Sequence, residues 1–180
     1  MSKLNNLDKA AESKGSVVTT LWQFVKFIVV SLGAFVIQTF LPLLIKLPMS
    51  DAFLQQAYSF WIFQSKDPVD GVIEAGLGVF IAANLSNVIA QIVAFFINRE
   101  KTFNSDANIA VTLPIYIVFT IALICFSAWL SPTLITFFAN KLNTNVAISL
   151  SGAICGAIQF FLYFPVDKIL FHKKKEKTEA

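Results

Sequence analysis

Four amide side chains recur inside one long apolar stretch: Asn84, Asn87, Gln91 and Asn98, spaced by three, four and seven residues. On a helix that spacing puts them on one face. The face ends in Asn98-Arg99, then Lys101 and Phe103, and Arg99 is the chain's only arginine. Amides donate and accept hydrogen bonds, so they suit hydroxyl-rich solutes. A guanidinium at one end suits a phosphate or another anion, which it grips with a planar fork. Gln38 and Gln159, in two other apolar stretches, are candidates to complete a polar lining. Lys26, Lys101 and Lys168 are candidate helpers of Arg99. A polar stripe in hydrocarbon is costly unless it meets a partner helix or a polar cavity. The same amides are therefore also read as glue between helices, and Arg99 as a topology anchor.

The elements that must position these residues are membrane helices. Of the 180 residues 56% are hydrophobic and only 14% charged, and the mean hydropathy is +0.69, the balance of an integral membrane protein. A span needs about 20 apolar residues. Four stretches qualify: Leu21 to Ile45, Gly76 to Ile97, one within Ala107 to Asn140 and one within Leu142 to Val166. The expected fold is all-α, with four transmembrane helices in a domain over residues 21–171. A polar tail (residues 1–20) precedes it and a basic tail (residues 172–180) follows. Pro42, Pro114 and Pro132 are expected near helix ends, and Pro165 is expected to tighten, kink or end the fourth span.

Orientation follows the basic residues. With four spans, eleven of the 14 lysines and arginines share one side, leaving Lys46, Lys66 and Lys141 opposite, so both termini are expected in the cytoplasm. Between the first two spans, Ala52 to Ser65 is uncharged and aromatic. It is too short to cross, so an interfacial or re-entrant helix is expected there, as a loop anchor or as a lid, with Tyr58 and Trp61 at headgroup level.

The second and fourth spans align at an offset of 65 residues, with Ala82, Leu85, Ser86, Ile89, Phe95 and Phe96 matching identical residues. This suggests two parallel helix-hairpin repeats. Opposite the amide ladder lies a seam of Ser149, Gly152, Gly156, Gln159 and Tyr163. The two seams are expected to face each other or a second copy, with Gly152 and Gly156 allowing close approach. Gly76 and Gly78 are expected to serve close packing too.

Nothing in the chain marks an enzyme. No nucleophile with its base, paired carboxylates, metal set or nucleotide loop is evident. Cys125 and Cys155 stand alone in apolar segments and read as packing residues, and His172 lies in the basic tail. No metal, cofactor or nucleic-acid partner is expected. Glu74 reads as the only acid in or near a span.

Phe95-Phe96-Ile97-Asn98-Arg99, then Thr102-Phe103, resembles the end of the second helix in the GtrA-like family of four-span membrane proteins. Lys26-Phe27-Ile28-Val29-Val30-Ser31-Leu32-Gly33 is similar to that family's opening, with Lys26 for arginine and Ser31 for the usual glycine. Tyr163 to Lys168 departs from the amide-plus-basic ending that the family repeats after its fourth helix. The resemblance covers residues 22–171. It implies translocation of a polyprenyl-phosphate-linked monosaccharide across the bacterial plasma membrane, for glycosylation of surface polysaccharide or teichoic acid. It implies the membrane lipid as partner and leaves room for a membrane glycosyltransferase. Four helices make a thin wall around such a headgroup, so a homo-oligomer is expected. The alternatives are a non-transporting scaffold for a glycosyltransferase and a small proton-coupled exporter.

Overall fold

The computed structural model describes residues 3–65 and 76–171; Lys66, Glu74 and the basic tail from His172 lie outside the described residues. The elements are α1 (Lys3–Ser13), α2 (Ser16–Lys46), α3 (Asp51–Leu54), β1 (Ser59–Phe60), β2 (Phe63–Gln64), α4 (Leu77–Ile97), a π-helical turn (Asn98–Thr102), α5 (Ile109–Ala139) and α6 (Thr144–Leu170). Helices α2, α4 with its π turn, α5 and α6 are long and apolar enough to cross a membrane. The chain is an all-α, four-span membrane protein, as expected.

The spans form two antiparallel pairs. Helix α2 packs along α4, and α5 along α6, while the pairs meet each other more sparsely. The buried face of α4 is a stripe of small residues, which meets α3 at its start and α2 further along. Gly78, Ala82, Ser86, Ala90 and Ala94 recur at every fourth position of α4 and are all buried. Without bulk on that face two helix backbones come close, which is how apolar helices associate in lipid, where hydrophobic burial supplies no drive. Ala34 of α2 packs into the stripe beside Ala90 and Ala94, flanked by Val30 and Ile37. The α5–α6 pair is joined by polar rungs instead. Ser131 and Ser151 share a 3.1 Å hydrogen bond, Gln159 donates to Ser127 at 2.6 Å, and Tyr163 donates to Thr120 at 3.0 Å.

The aromatic core sits at the end where α2 begins and α6 finishes. Phe27, Phe95, Phe103, Tyr116, Leu123, Tyr163 and Phe171 form one buried cluster there. Helix α1 folds back onto that end, so the N-terminal segment is joined to the bundle, and α2 starts five residues before the expected boundary at residue 21.

One local expectation is corrected. Ala52 to Ser65 is not one helix. It is the short α3 followed by the β1–β2 hairpin, paired Ser59 to Gln64 and Phe60 to Phe63. Its aromatic and β-branched residues fit a pleated ribbon better than a helix, and Trp61 turns the hairpin at φ 54° with its side chain exposed. Tyr58 and Phe63 stack on Phe80 of α4, with ring centroids 4.7 and 5.2 Å away, so the hairpin is anchored to the N-terminal end of α4. Burial there holds the Tyr58 phenol above its ordinary range. Pro42, Pro114 and Pro132 lie within about two turns of the ends of α2 and α5, as expected, and α6 continues five residues past Pro165 instead of ending at it. In a membrane helix the backbone groups freed by proline are re-satisfied by neighbouring helices and hydroxyls, and the helix carries on.

Gly76 and Gly78 serve close packing, as their position suggested. A Cβ on Gly76 would lie 2.5 Å from the Leu54 carbonyl oxygen, and one on Gly78 would lie 3.0 Å from the Leu54 Cα. Gly76→Ala is therefore expected to lift α3 off α4 and cost roughly 1–3 kcal/mol. Gly152→Ala, where a Cβ meets nothing within 4 Å, should leave thermal stability in detergent close to wild type.

Candidate functional site

Between the two helix pairs lies a cleft of about 310 Å³. Helix α2 contributes Phe27, Ile28, Ser31, Leu32, Ala34, Phe35 and Gln38. Helix α4 contributes Gln91 and Ala94, α5 contributes Tyr116, and α6 contributes Gly156, Gln159, Phe160 and Tyr163. The two seams read from the sequence thus face one another across this space, at Gln91 and Ala94 on one side and Gly156, Gln159 and Tyr163 on the other. The glycine pair brings no helix close within the chain: a Cβ on Gly152 or Gly156 would meet nothing within 4 Å. Ile28, Leu32 and Phe35 are exposed, as is Gly156, so the cleft opens on the flank between α2 and α6.

Each of the three glutamines in the cleft commits one half of its amide to the protein. Gln38 donates to Asn87 Oδ1 at 3.1 Å, which keeps its own carbonyl unpaired. Gln91 accepts from the Tyr116 hydroxyl at 3.1 Å, which keeps its NH₂ unpaired. Gln159 donates to Ser127, leaving its carbonyl. Two carbonyls, the whole Gln91 NH₂ and one N–H each of Gln38 and Gln159 thus remain for a solute, among the rings of Phe27, Phe35, Phe160, Tyr116 and Tyr163. A mostly apolar, aromatic pocket with a few fixed polar groups is the usual build of a small-molecule site. Among the described residues no cation lines it.

The candidate residues therefore do not form one continuous path. Gln38, Gln91 and Gln159 line the cleft. Asn87 lies behind Gln38 and orients it. Asn84 donates to the Phe80 carbonyl of its own helix at 2.8 Å. Asn98 is 1% exposed and belongs to a separate buried joint, where it donates to Asp167 Oδ2 at 2.8 Å and accepts from Thr102 at 2.8 Å. The helical register of α4 places it there, its N–H bonding to the Ala94 carbonyl, and the π turn begins at it: the Phe103 N–H reaches back five residues to the Asn98 carbonyl at 2.9 Å. Asn98 and Thr102, four residues apart, are both buried on one side of that turn, and such turns are frequent at functional sites.

The cations form a third group, around the α1 end. Arg99 donates through Nε to the Ala107 carbonyl at 2.9 Å, which pins the segment entering α5 and leaves its two NH₂ groups without a protein partner. Lys26 is taken up by an ion pair with Asp8 of α1 at 2.9 Å, both groups about nine-tenths buried, and by a bond to the Lys101 carbonyl. The Trp22 indole N–H also donates to Asp8, at 2.6 Å. The Lys101 side chain is exposed. Lys168 donates to the Thr20 hydroxyl at 2.7 Å and lines a second hollow with Glu12, Ser16, Thr19 and Gln23.

Sequence reasoning missed Asp167. The chain has an acid within a span besides the edge residue Glu74, and the expectation that Glu74 stands alone is corrected: Asp167 lies in α6 and is fully buried. A signal was present, since Asp167-Lys168 closes the fourth span as Asn98-Arg99 closes the second. The offset of 65 aligned Tyr163 with Asn98 instead, and 65 and 69 differ by about one helical turn, so both keep the same face. Among the described residues no three histidine, cysteine or acidic side chains gather into a metal site.

In comparisons with protein families, curated proteins and solved structures, no match was found.

Replacing Asn98 with leucine removes the only hydrogen-bond donor to a buried carboxyl, which should cost roughly 1–3 kcal/mol. Asn87→Leu only frees Gln38 to face the cleft and should cost about 0.6 kcal/mol. Thermal unfolding of the purified variants in one detergent gives that order, and the reverse order would contradict the assignment of Asn98 to the joint.

Proposed function

We propose that this protein translocates a polyprenyl-phosphate-linked monosaccharide across the bacterial plasma membrane, with both termini cytoplasmic, supplying sugar for cell-surface glycosylation. The observation that carries this reading is the cleft: three half-used amides and five aromatic rings, open on a flank where lipid would lie. A sugar needs hydrogen-bond partners, because burying an unpaired hydroxyl costs about 1–3 kcal/mol. Its apolar ring faces suit aromatic side chains. The polyprenyl tail would stay in lipid along Ile28, Leu32 and Phe35 while the headgroup occupies the cleft. The GtrA-like resemblance of the Asn98-Arg99 ending supports the same reading, and the chemistry of Arg99 fits it. With only Nε engaged, its NH₂ groups are available to a phosphate. Lys26, bound to Asp8, is a structural cation in this arrangement.

The test is surface glycan modification in cells that carry only the variant protein, with membrane abundance measured in parallel. Gln91→Leu and Gln159→Leu are expected to abolish modification at normal abundance. Arg99→Lys is expected to insert normally, because one N–H donor still reaches the Ala107 carbonyl, and to lose most activity, because lysine lacks the fork. Full activity of Arg99→Lys would return Arg99 to an anchoring role. For orientation, a cysteine at position 3 should be shielded from an impermeant thiol reagent in intact cells, and one at Trp61 should react.

A further inference from the structure

Asp167 Oδ1 is, among the described residues, the one buried side-chain polar atom without a hydrogen-bond partner. The residue is 0% exposed and sits one turn beyond Tyr163, which lines the cleft. Its other oxygen accepts from Asn98, so the carboxyl bridges the last turn of the first helix pair to the last turns of the second. Rings close around the bridge: Phe171 packs on Phe95 and Phe103 at 5.1 and 5.7 Å between centroids.

No described cation faces this carboxyl as a counter-charge. On its own helix Lys168 turns to Thr20. On α2, Lys26 is held by Asp8 of α1. Arg99 turns to the Ala107 carbonyl, and Lys101 and Glu100 of the same π turn are exposed. The tyrosines nearby are engaged, Tyr116 with Gln91 and Tyr163 with Thr120. An ionised carboxylate with one amide donor and no counter-ion is costly in a dry interior, and binding a proton removes that charge.

We propose that Asp167 is a proton-binding site, occupied while the two helix pairs are joined at the α1 end and emptied when they part. On parting, water enters, the carboxylic O–H bond breaks, the proton passes to that water and the carboxylate is hydrated. The joined state binds one proton more than the parted state. It is therefore favoured at low pH and lost as pH rises, by at most a factor of ten per pH unit for a single site. Occupancy of the site stands independently of the proposed translocation. If translocation holds, the site gives a protein without a visible nucleotide-binding loop a way to draw on a proton gradient.

Infrared spectra of the purified full-length protein at pH 7 test the occupancy. A carbonyl band of a protonated carboxylic acid is expected, shifted by carboxyl-¹³C aspartate and lost in Asp167→Asn. The labelled wild-type protein keeps the test valid should that variant not fold, and absence of a label-sensitive band would overturn the proposal. The linkage is read by maleimide reaction of Thr102→Cys, buried in the joint, divided by that of Glu100→Cys, exposed on the same π turn, so that the thiol's own pH dependence cancels. The ratio should rise with pH, up to tenfold per unit, and stay flat in an Asp167→Asn background. A ratio independent of pH without that substitution would overturn the coupling. Neither readout depends on transport, so both are distinguishable from a failure of the translocase reading.

Discussion

The hydrogen bond from Asn98 to Asp167 is the constraint around which the α1 end is arranged. A carboxyl group cannot be left unattended inside an apolar bundle, so its surroundings must be built to hold it. Asn98 and Thr102 lie inward on the same side of the π turn, and the Thr102 hydroxyl fixes which end of the Asn98 amide faces the acid. Phe95, Phe103 and Phe171 then exclude water from the bridge. Because Asn98 belongs to the first helix pair and Asp167 to the second, this bond also ties the pairs together, beside the Tyr116–Gln91 bond and the aromatic cluster.

The cleft is the complement of that joint. Helix α4 presents small residues to α2, and α5 holds α6 by hydroxyl and amide rungs, so each pair is tight in itself by a different means. Between the pairs the contacts are fewer, and they concentrate at the aromatic end. What remains is a space that the chain's own side chains do not fill, lined by glutamines whose other halves are anchored. Anchoring matters here, because an amide already fixed by Asn87, Tyr116 or Ser127 presents its free half at little further cost in side-chain entropy.

Charge at the α1 end is divided in a similar way. Asp8 draws Lys26 and Trp22 together, so the amphipathic α1 is tied to the start of the first span rather than trailing from it. Arg99 staples the connection into α5 through a single N–H. Lysines and an arginine that look equivalent in a count of positive charges thus separate into those consumed by the fold and those with donors to spare.

Local composition was sufficient for the spans. Hydropathy over some 20 residues, Phe-rich and nearly uncharged, commits a segment to the membrane whatever its neighbours do, so four helices and their alternating directions were legible before any contact was known. Gly76 and Gly78 were legible as close-packing points because glycine, without a Cβ, lets another backbone approach. The interior face of α4 was not. The ladder of Asn84, Asn87 and Gln91 drew attention, yet the fully buried face of α4 is the repeat of glycine, alanine and serine beside it. The aromatic outer loop, read as a helix, was decided by pairing between β1 and β2 and by the dock on Phe80. Asn98 keeps the face of Gln91 but lies seven residues further along α4, at the level where α6 meets it, so it pairs with Asp167 instead of lining the cleft. Asp167 became buried because α6 continued through Pro165 and met another helix there. Which way a helix faces is set by all of its neighbours together, and only the tertiary structure holds that information.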